Sequence, residues 1–136
     1  MRARTLTGLL IAVCLGCGPG GPFKYVPVQG VLTYEDGSPV PVGGLQLKFI
    51  ALDAPLVEGA SPRPAIAHLN SDGQFECATS YKYGDGLVPG KHKVAIINAV
   101  DKSGELLVPT DYTNTSRTPL IIDTSTLPLE IKVPRP

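Results

Sequence analysis

Tryptophan is absent from the 136 residues, methionine occurs once and histidine only twice. Two imidazoles and three thiols, with no Cys-x-x-Cys and no His-x-x-x-His pair, do not make up the four ligands of a structural zinc or the three of a catalytic one. Charge of one sign is missing too: 12 basic side chains face 12 acidic ones, which excludes a basic nucleic-acid surface or a polybasic membrane patch. No Gly-x-Ser-x-Gly elbow is present to hold a serine nucleophile. Helix formers do not recur at helical spacing over ten residues anywhere beyond the N-terminal segment. What is plentiful is 15 glycines and 14 prolines among Val, Ile, Leu and Thr, the composition of short strands joined by many turns.

The N-terminal seventeen residues stand apart. Arg2 and Arg4 precede an apolar run from Leu6 to Leu15 of about ten residues, the layout of an export signal. That run is half of the ~20 residues needed to span a bilayer core. Leu15-Gly16-Cys17 resembles the lipobox of bacterial lipoproteins, in which a small residue precedes a cysteine that receives a diacylglyceryl thioether. Cys14, preceded by bulky Val13, is the poorer acceptor. The expectation is a signal peptide over residues 1–16, lipidated Cys17 with a flexible tether over 17–25 rich in glycine and proline, and one domain over 26–136. Two acyl chains anchor a protein stably where one does so marginally. Loss of Arg2 and Arg4 leaves 10 basic against 12 acidic side chains. Cys77 would then stand alone, with no disulfide available, and the pattern around it predicts a buried, inert thiol.

Strand patterns fill the rest. Leu45–Phe49 and Leu129–Val133 alternate with period two, and His92–Val100 is apolar on both faces, as a central strand requires. Val28–Tyr34, Ala65–Asn70, Gln74–Ala78 and Leu120–Asp123 complete about seven strands, predicting an all-β, antiparallel β-sandwich. In Asn70-Ser71-Asp72-Gly73-Gln74, a three-residue loop with Gly73 left-handed pairs Leu69 with Phe75 and Ala67 with Cys77 on the inner face. His68 and Glu76 then point outward together. A two-residue Asp-Gly turn would instead set His68 against Cys77.

Three stretches carry a family resemblance: Val28-Gln-Gly30-Val31-Leu-Thr33-Tyr-Glu-Asp36-Gly37-Ser-Pro39-Val40, Ser71-Asp72-Gly73-Gln-Phe75, and Gly86-Leu87-Val88-Pro89-Gly90-Lys-His92-Lys-Val94. They resemble the carboxypeptidase regulatory-like domain, a transthyretin-like (prealbumin-like) sandwich common in short bacterial lipoproteins. Val108-Pro109-Thr-Asp-Tyr112 and Thr118-Pro119-Leu120 are similar to a late segment of the same lipoproteins. The resemblance implies a fold and almost nothing about activity. Transthyretin-fold hydrolases of 5-hydroxyisourate end in Tyr-Arg-Gly-Ser, whereas this chain ends in Val133-Pro134-Arg135-Pro136, so their catalysis does not carry over.

Few positions offer chemistry. The pairs Asp36-Gly37, Asp72-Gly73 and Asp85-Gly86 lack the spaced carboxylates of a calcium loop and read as turns. The histidines, His68 and His92, read as surface imidazoles. Asn114-Thr115-Ser116 matches a glycosylation sequon, of little weight in a bacterial context. Tyr81 and Tyr83 would share a face in an extended segment beside Asp85, an aromatic-carboxylate cluster able to stack on a sugar. Ala51–Pro64 and Asp101–Pro119 are long connections, either binding loops or irregular edge strands. The sequence reads as a non-enzymatic module, without cofactor or metal, held in the cell envelope through Cys17 and facing the periplasm or exterior. Its expected partners are envelope proteins or polysaccharide, not nucleic acid. The alternative is an accessory domain binding a small ligand or carbohydrate at Tyr81, Tyr83 and Asp85, and a third class is an enzyme with an unfamiliar site.

Overall fold

The computed structural model describes residues 22–41 and 44–136. The signal segment and Cys17 lie outside the described residues. Among the described residues seven strands form two stacked sheets. They are β1 (Gly30–Tyr34), β2 (Gln46–Ala51), β3 (Ala65–His68), β4 (Gln74–Phe75), β5 (Lys91–Ile97), β6 (Ile121–Asp123) and β7 (Leu129–Val133). One sheet has the order β4-β1-β7 and the other β3-β2-β5-β6. The all-β sandwich expected from the strand patterns is therefore the fold.

Alternation dictates which side chains meet. Leu32 and Tyr34 of β1, Phe75 of β4 and Leu129, Ile131 and Val133 of β7 face Leu47 and Phe49 of β2, Ala65 and Ala67 of β3, and Val94 and Ile96 of β5. Phe49 and Phe75 touch across the two layers, ring centroids 6.1 Å apart and tilted by 54°. Gly30 stands where a Cβ would collide with the Leu129 carbonyl oxygen and the Phe75 ring, so only glycine lets both neighbours close on β1. β5 is central, between β2 and β6, as its two-faced apolarity requires.

Several details depart from the sequence reading. β7 runs parallel to β1, not antiparallel. No hairpin joins these two strands, and only a tight hairpin obliges neighbours to run in opposite directions. β5 stops at Ile97 because Asn98 takes a left-handed φ of 61°, which swings Ala99 and Val100 out of the sheet. His92 is buried (2% exposed) rather than at the surface, since β6 pairs alongside it. Its Nδ1 lies 3.3 Å from the Gly90 carbonyl oxygen, and burial holds its pKa below the usual histidine value.

Both long connections are folded. In the first, Val57 and Ala60 exchange two backbone hydrogen bonds (3.0 and 2.9 Å) around Glu58 and Gly59. Both central residues have positive φ (52° and 77°), the two-residue hairpin turn. In the second, Val100 bridges Leu106 about Gly104, and a 3-10 turn over Thr110–Thr113 packs on β5. A third turn at Tyr34–Ser38 is locked by Arg135, which stacks 4.2 Å above the Tyr34 ring and pairs with Asp36 at 3.1 Å. The Ser38 hydroxyl and amide, with Arg135, hold the Asp36 carboxyl down at about 2.

Candidate functional site

The segment Ser80–Gly86 is wound around one carboxylate. Asp85 accepts backbone N–H groups from Ser80 (2.8 Å), Tyr81 (2.9 Å) and Lys82 (2.8 Å), while its own amide donates to the Lys82 carbonyl (3.0 Å). Gly84 and Gly86 supply the left-handed residues that let the loop turn back, at φ 72° and 101°. Partial burial pushes the Asp85 pKa up, but the backbone N–H donors of Ser80, Lys82, Tyr81 and Gly86 outweigh it and hold the group below its ordinary value. Asp85 thus organises its own loop.

Winding removes the extended geometry that would have put both tyrosines on one face. Tyr81 (47% exposed) lies beneath the Arg63 guanidinium, 5.0 Å from the ring centroid. Tyr83 (90% exposed) turns the other way, toward Cys77. Hydrogen bonding with the Cys77 thiol raises the phenol pKa above its usual value. The side chains of Tyr81, Tyr83 and Asp85 are therefore neighbours in sequence with separate partners: Arg63, Cys77 and the amides of the loop.

Tyr83 instead borders a cavity of about 330 Å³, with Ile66, His68, Glu76 and Cys77 among its walls. Its origin is the hairpin at Gly73. The expected three-residue loop is there: Gly73 has φ 75°, its amide donates to the Asn70 carbonyl (3.0 Å), and the Asn70 amide donates to Gln74 (2.9 Å). Leu69 and Phe75 are both buried, and His68 and Glu76 both exposed, as expected. Beyond them the pairing does not continue as expected. Ile66 and Thr79 exchange backbone hydrogen bonds (2.9 and 2.8 Å), one residue out of step with Asn70–Gln74. The extra residue brings Ala78 inward, fully buried, in place of Cys77, whose thiol is only half-buried against the cavity. The expected burial of Cys77 thus gives way to a half-buried position. The bulge left no mark in the sequence, because Cys77 and Ala78 are equally acceptable core residues.

Among the described residues no three His, Cys, Asp or Glu side chains converge as a metal site would require. No helix among them is long and apolar enough to cross a membrane. No protein-family model, curated protein or solved structure matches the chain.

Proposed function

We propose that the chain is an envelope lipoprotein, anchored through Cys17, whose carboxypeptidase regulatory-like (transthyretin-like) sandwich acts by contact with envelope proteins or polysaccharide rather than by catalysis. One observation carries the contact reading: each long connection is built around a hydrogen-bonded turn, and apolar side chains in or beside it stand exposed to solvent. Leu52 and Leu56 project from the first (38% and 63% exposed), and Val100 and Leu106 from the second (42% and 39%). Apolar side chains held by a hydrogen-bonded turn bind at a lower entropic cost than those on a loose loop. The anchor rests on Gly16-Cys17 after a short apolar run.

A second reading has its own support. The exposed Tyr83 ring beside His68, Glu76 and Asn70 gives a small polar ligand or sugar one stacking face and several hydrogen-bonding groups. The two readings separate experimentally. Cys17→Ser abolishes fatty-acid labelling and moves the protein from membranes to the soluble fraction; continued labelling would relocate the anchor to Cys14. In-cell crosslinking of wild type, Leu56→Ser/Leu106→Ser and Tyr83→Ala, with glycan binding measured on the same proteins, tests the contact. Loss of partner capture in the leucine variant supports the first reading. Glycan binding lost only in Tyr83→Ala replaces it with the second.

A further inference from the structure

Each sheet of an open sandwich has two edges, and here they are unequal. β4 is two residues long and β6 three, and Thr79 already bridges Ile66 on β3. Among the described residues β7 is the long free edge. Leu129 donates its amide to Gln29 and Val133 accepts from Glu35, so residues 129, 131 and 133 direct their peptide groups to β1. In a parallel ladder the residues between them direct theirs away. The N–H and C=O of Glu130 and Lys132 therefore face outward, and among the described residues nothing bonds them.

The strand is also self-complementary. Leu129-Glu130-Ile131-Lys132-Val133 reads apolar-acid-apolar-base-apolar about its centre. An antiparallel copy centred on Ile131 sets Glu130 against Lys132 of the second copy and Lys132 against its Glu130. These are the residues whose peptide groups are free, so both pairs exchange two hydrogen bonds each. Sliding the register one step centres the pairing on Glu130 or on Lys132. The first sets two glutamates face to face and brings Pro128 opposite Lys132. The second opposes two lysines and brings Pro134 opposite Glu130. A proline cannot donate, and like charges directly opposite repel. The register centred on Ile131 keeps two full pairs and sets Pro128 opposite Pro134, so proline costs every register alike and charge is what selects this one.

We infer that β7 is an interface between two copies of this chain, joined antiparallel about a twofold axis at Ile131 into a continuous six-stranded sheet. The surroundings agree with burial there. A groove of about 480 Å³ lies between the β6 and β7 edges, walled in part by Ile121 and Leu127, which are 54% and 44% exposed. An edge is guarded against association by exposed charges, inward charges, a bulge or a proline within the strand, and exposed charges repel a second copy only where they meet their like. β7 has opposite charges placed symmetrically, and its prolines lie just outside it. The contact differs from the hairpins proposed to meet other partners and does not depend on them.

The test is sedimentation equilibrium of the full chain in density-matched detergent. Glu130 and Lys132 side chains are exposed, so reversing them leaves the core untouched. Wild type is expected to dimerise. Lys132→Glu opposes glutamate to glutamate at both pairs and is expected to weaken the dimer roughly tenfold or more. Glu130→Lys does the same with lysines. The double reversal Glu130→Lys/Lys132→Glu restores complementarity and is expected to return to within a few-fold of wild type. Mixing the two single variants is expected to give a heterodimer that neither forms alone. A monomeric wild type, or single reversals that dimerise as wild type does, would overturn the proposal. So would a double reversal that stays weak, since it preserves every pair in the inferred register.

Discussion

The hairpin around Gly73 and the hairpin around Gly104 are built on the same turn, yet only the second stays closed. In each, an Asn or Asp side chain accepts amides two and four residues on. Asn70 Oδ1 binds Asp72 and Gln74 (both 2.9 Å), and Asp101 Oδ1 binds Ser103 (2.8 Å) and Glu105 (3.0 Å). Each closes with a left-handed glycine, φ 75° and 85°. Past the second turn the arms remain paired, with Leu107 donating to Ala99 at 2.8 Å. Past the first they part, meeting again only at Ile66 and Thr79, one residue out of step: Leu69 donates to Leu45, beside β2, while Gly73 accepts from Leu32 of β1. Turn chemistry sets the first pair of residues, and the sheets on either side decide where the arms go.

Phe75 is the residue that pulls β4 into the opposite layer, where it meets Phe49. Phe75→Ala is expected to cost about 3–5 kcal/mol, the range for deleting a buried phenylalanine, with a matching fall in the denaturant midpoint at constant slope. Leu106→Ala, on the outer face of the closed hairpin and 39% exposed, is expected to change stability by about 0.5 kcal/mol or less. Comparable losses would mean that the two hairpins depend on packing to the same degree.

The glycines sharpen the contrast. Both sit at a φ that costs an L-residue about 1–2 kcal/mol. A Cβ on Gly104 meets nothing within 4 Å, whereas one on Gly73 would lie 2.6 Å from the Leu32 carbonyl oxygen. Gly104→Ala is expected to show the conformational penalty alone. Gly73→Ala is expected to cost about 1–3 kcal/mol more, because backbone must move. Equal effects in thermal or denaturant unfolding would show that β1 does not hold the Gly73 turn.

This contrast also marks how far the sequence could be read. Period-two alternation located β2 and β7 to within two residues, and Asp72-Gly73 identified a left-handed turn, because both signals are local. Asp101-Lys-Ser-Gly104-Glu carries the same signature as Asn70-Ser-Asp-Gly73-Gln, so the second hairpin is legible in the same local terms, whereas the length of Asp101–Pro119 alone leaves a binding loop and an irregular edge strand equally open. The parallel pairing of β1 with β7 and the bulge before Thr79 were not legible, since each depends on residues distant in the chain. That the side chains of Tyr81, Tyr83 and Asp85 take separate partners was not legible for a related reason. An aspartate can serve a ligand or its own backbone, and only the folded loop reveals which.

A smaller effect concerns the cavity that the open hairpin leaves behind. Cys77 is half-buried and bordered by a nearly free tyrosine, so a maleimide is expected to modify the Cys77 peptide in the native protein. Tyr83→Ala is expected to speed that reaction several-fold by uncovering the thiol. Modification of Cys77 only after denaturation would restore the continuous register and close the cavity.

The smallest expected effect separates the hairpins by pH. Asp101 has a pKa below its ordinary value of 3.8, held there first by the Ser103 hydroxyl and then by backbone amides including Glu105. A carboxylate with a lowered pKa in the folded state contributes stability that is complete above its unfolded value and is lost as pH falls through the folded one. The loss therefore occurs below pH 3.8. Asn70 occupies the same position in the other turn and does not titrate. Protection of the Ser103 and Glu105 amides from hydrogen exchange, corrected for intrinsic rates, is expected to decline in that window, while Asp72 and Gln74 keep theirs. Asp101→Asn should make the closed hairpin behave like the open one, with its amides bound at neutral pH and no longer sensitive to acid. If both hairpins lost protection together in the wild type, the acid response would belong to the sandwich as a whole. If Asp101→Asn kept the acid response, the carboxylate would not be its source. Selective loss around Gly104, removed by Asp101→Asn, is the outcome that traces the acid response of this turn to the charge of its acceptor.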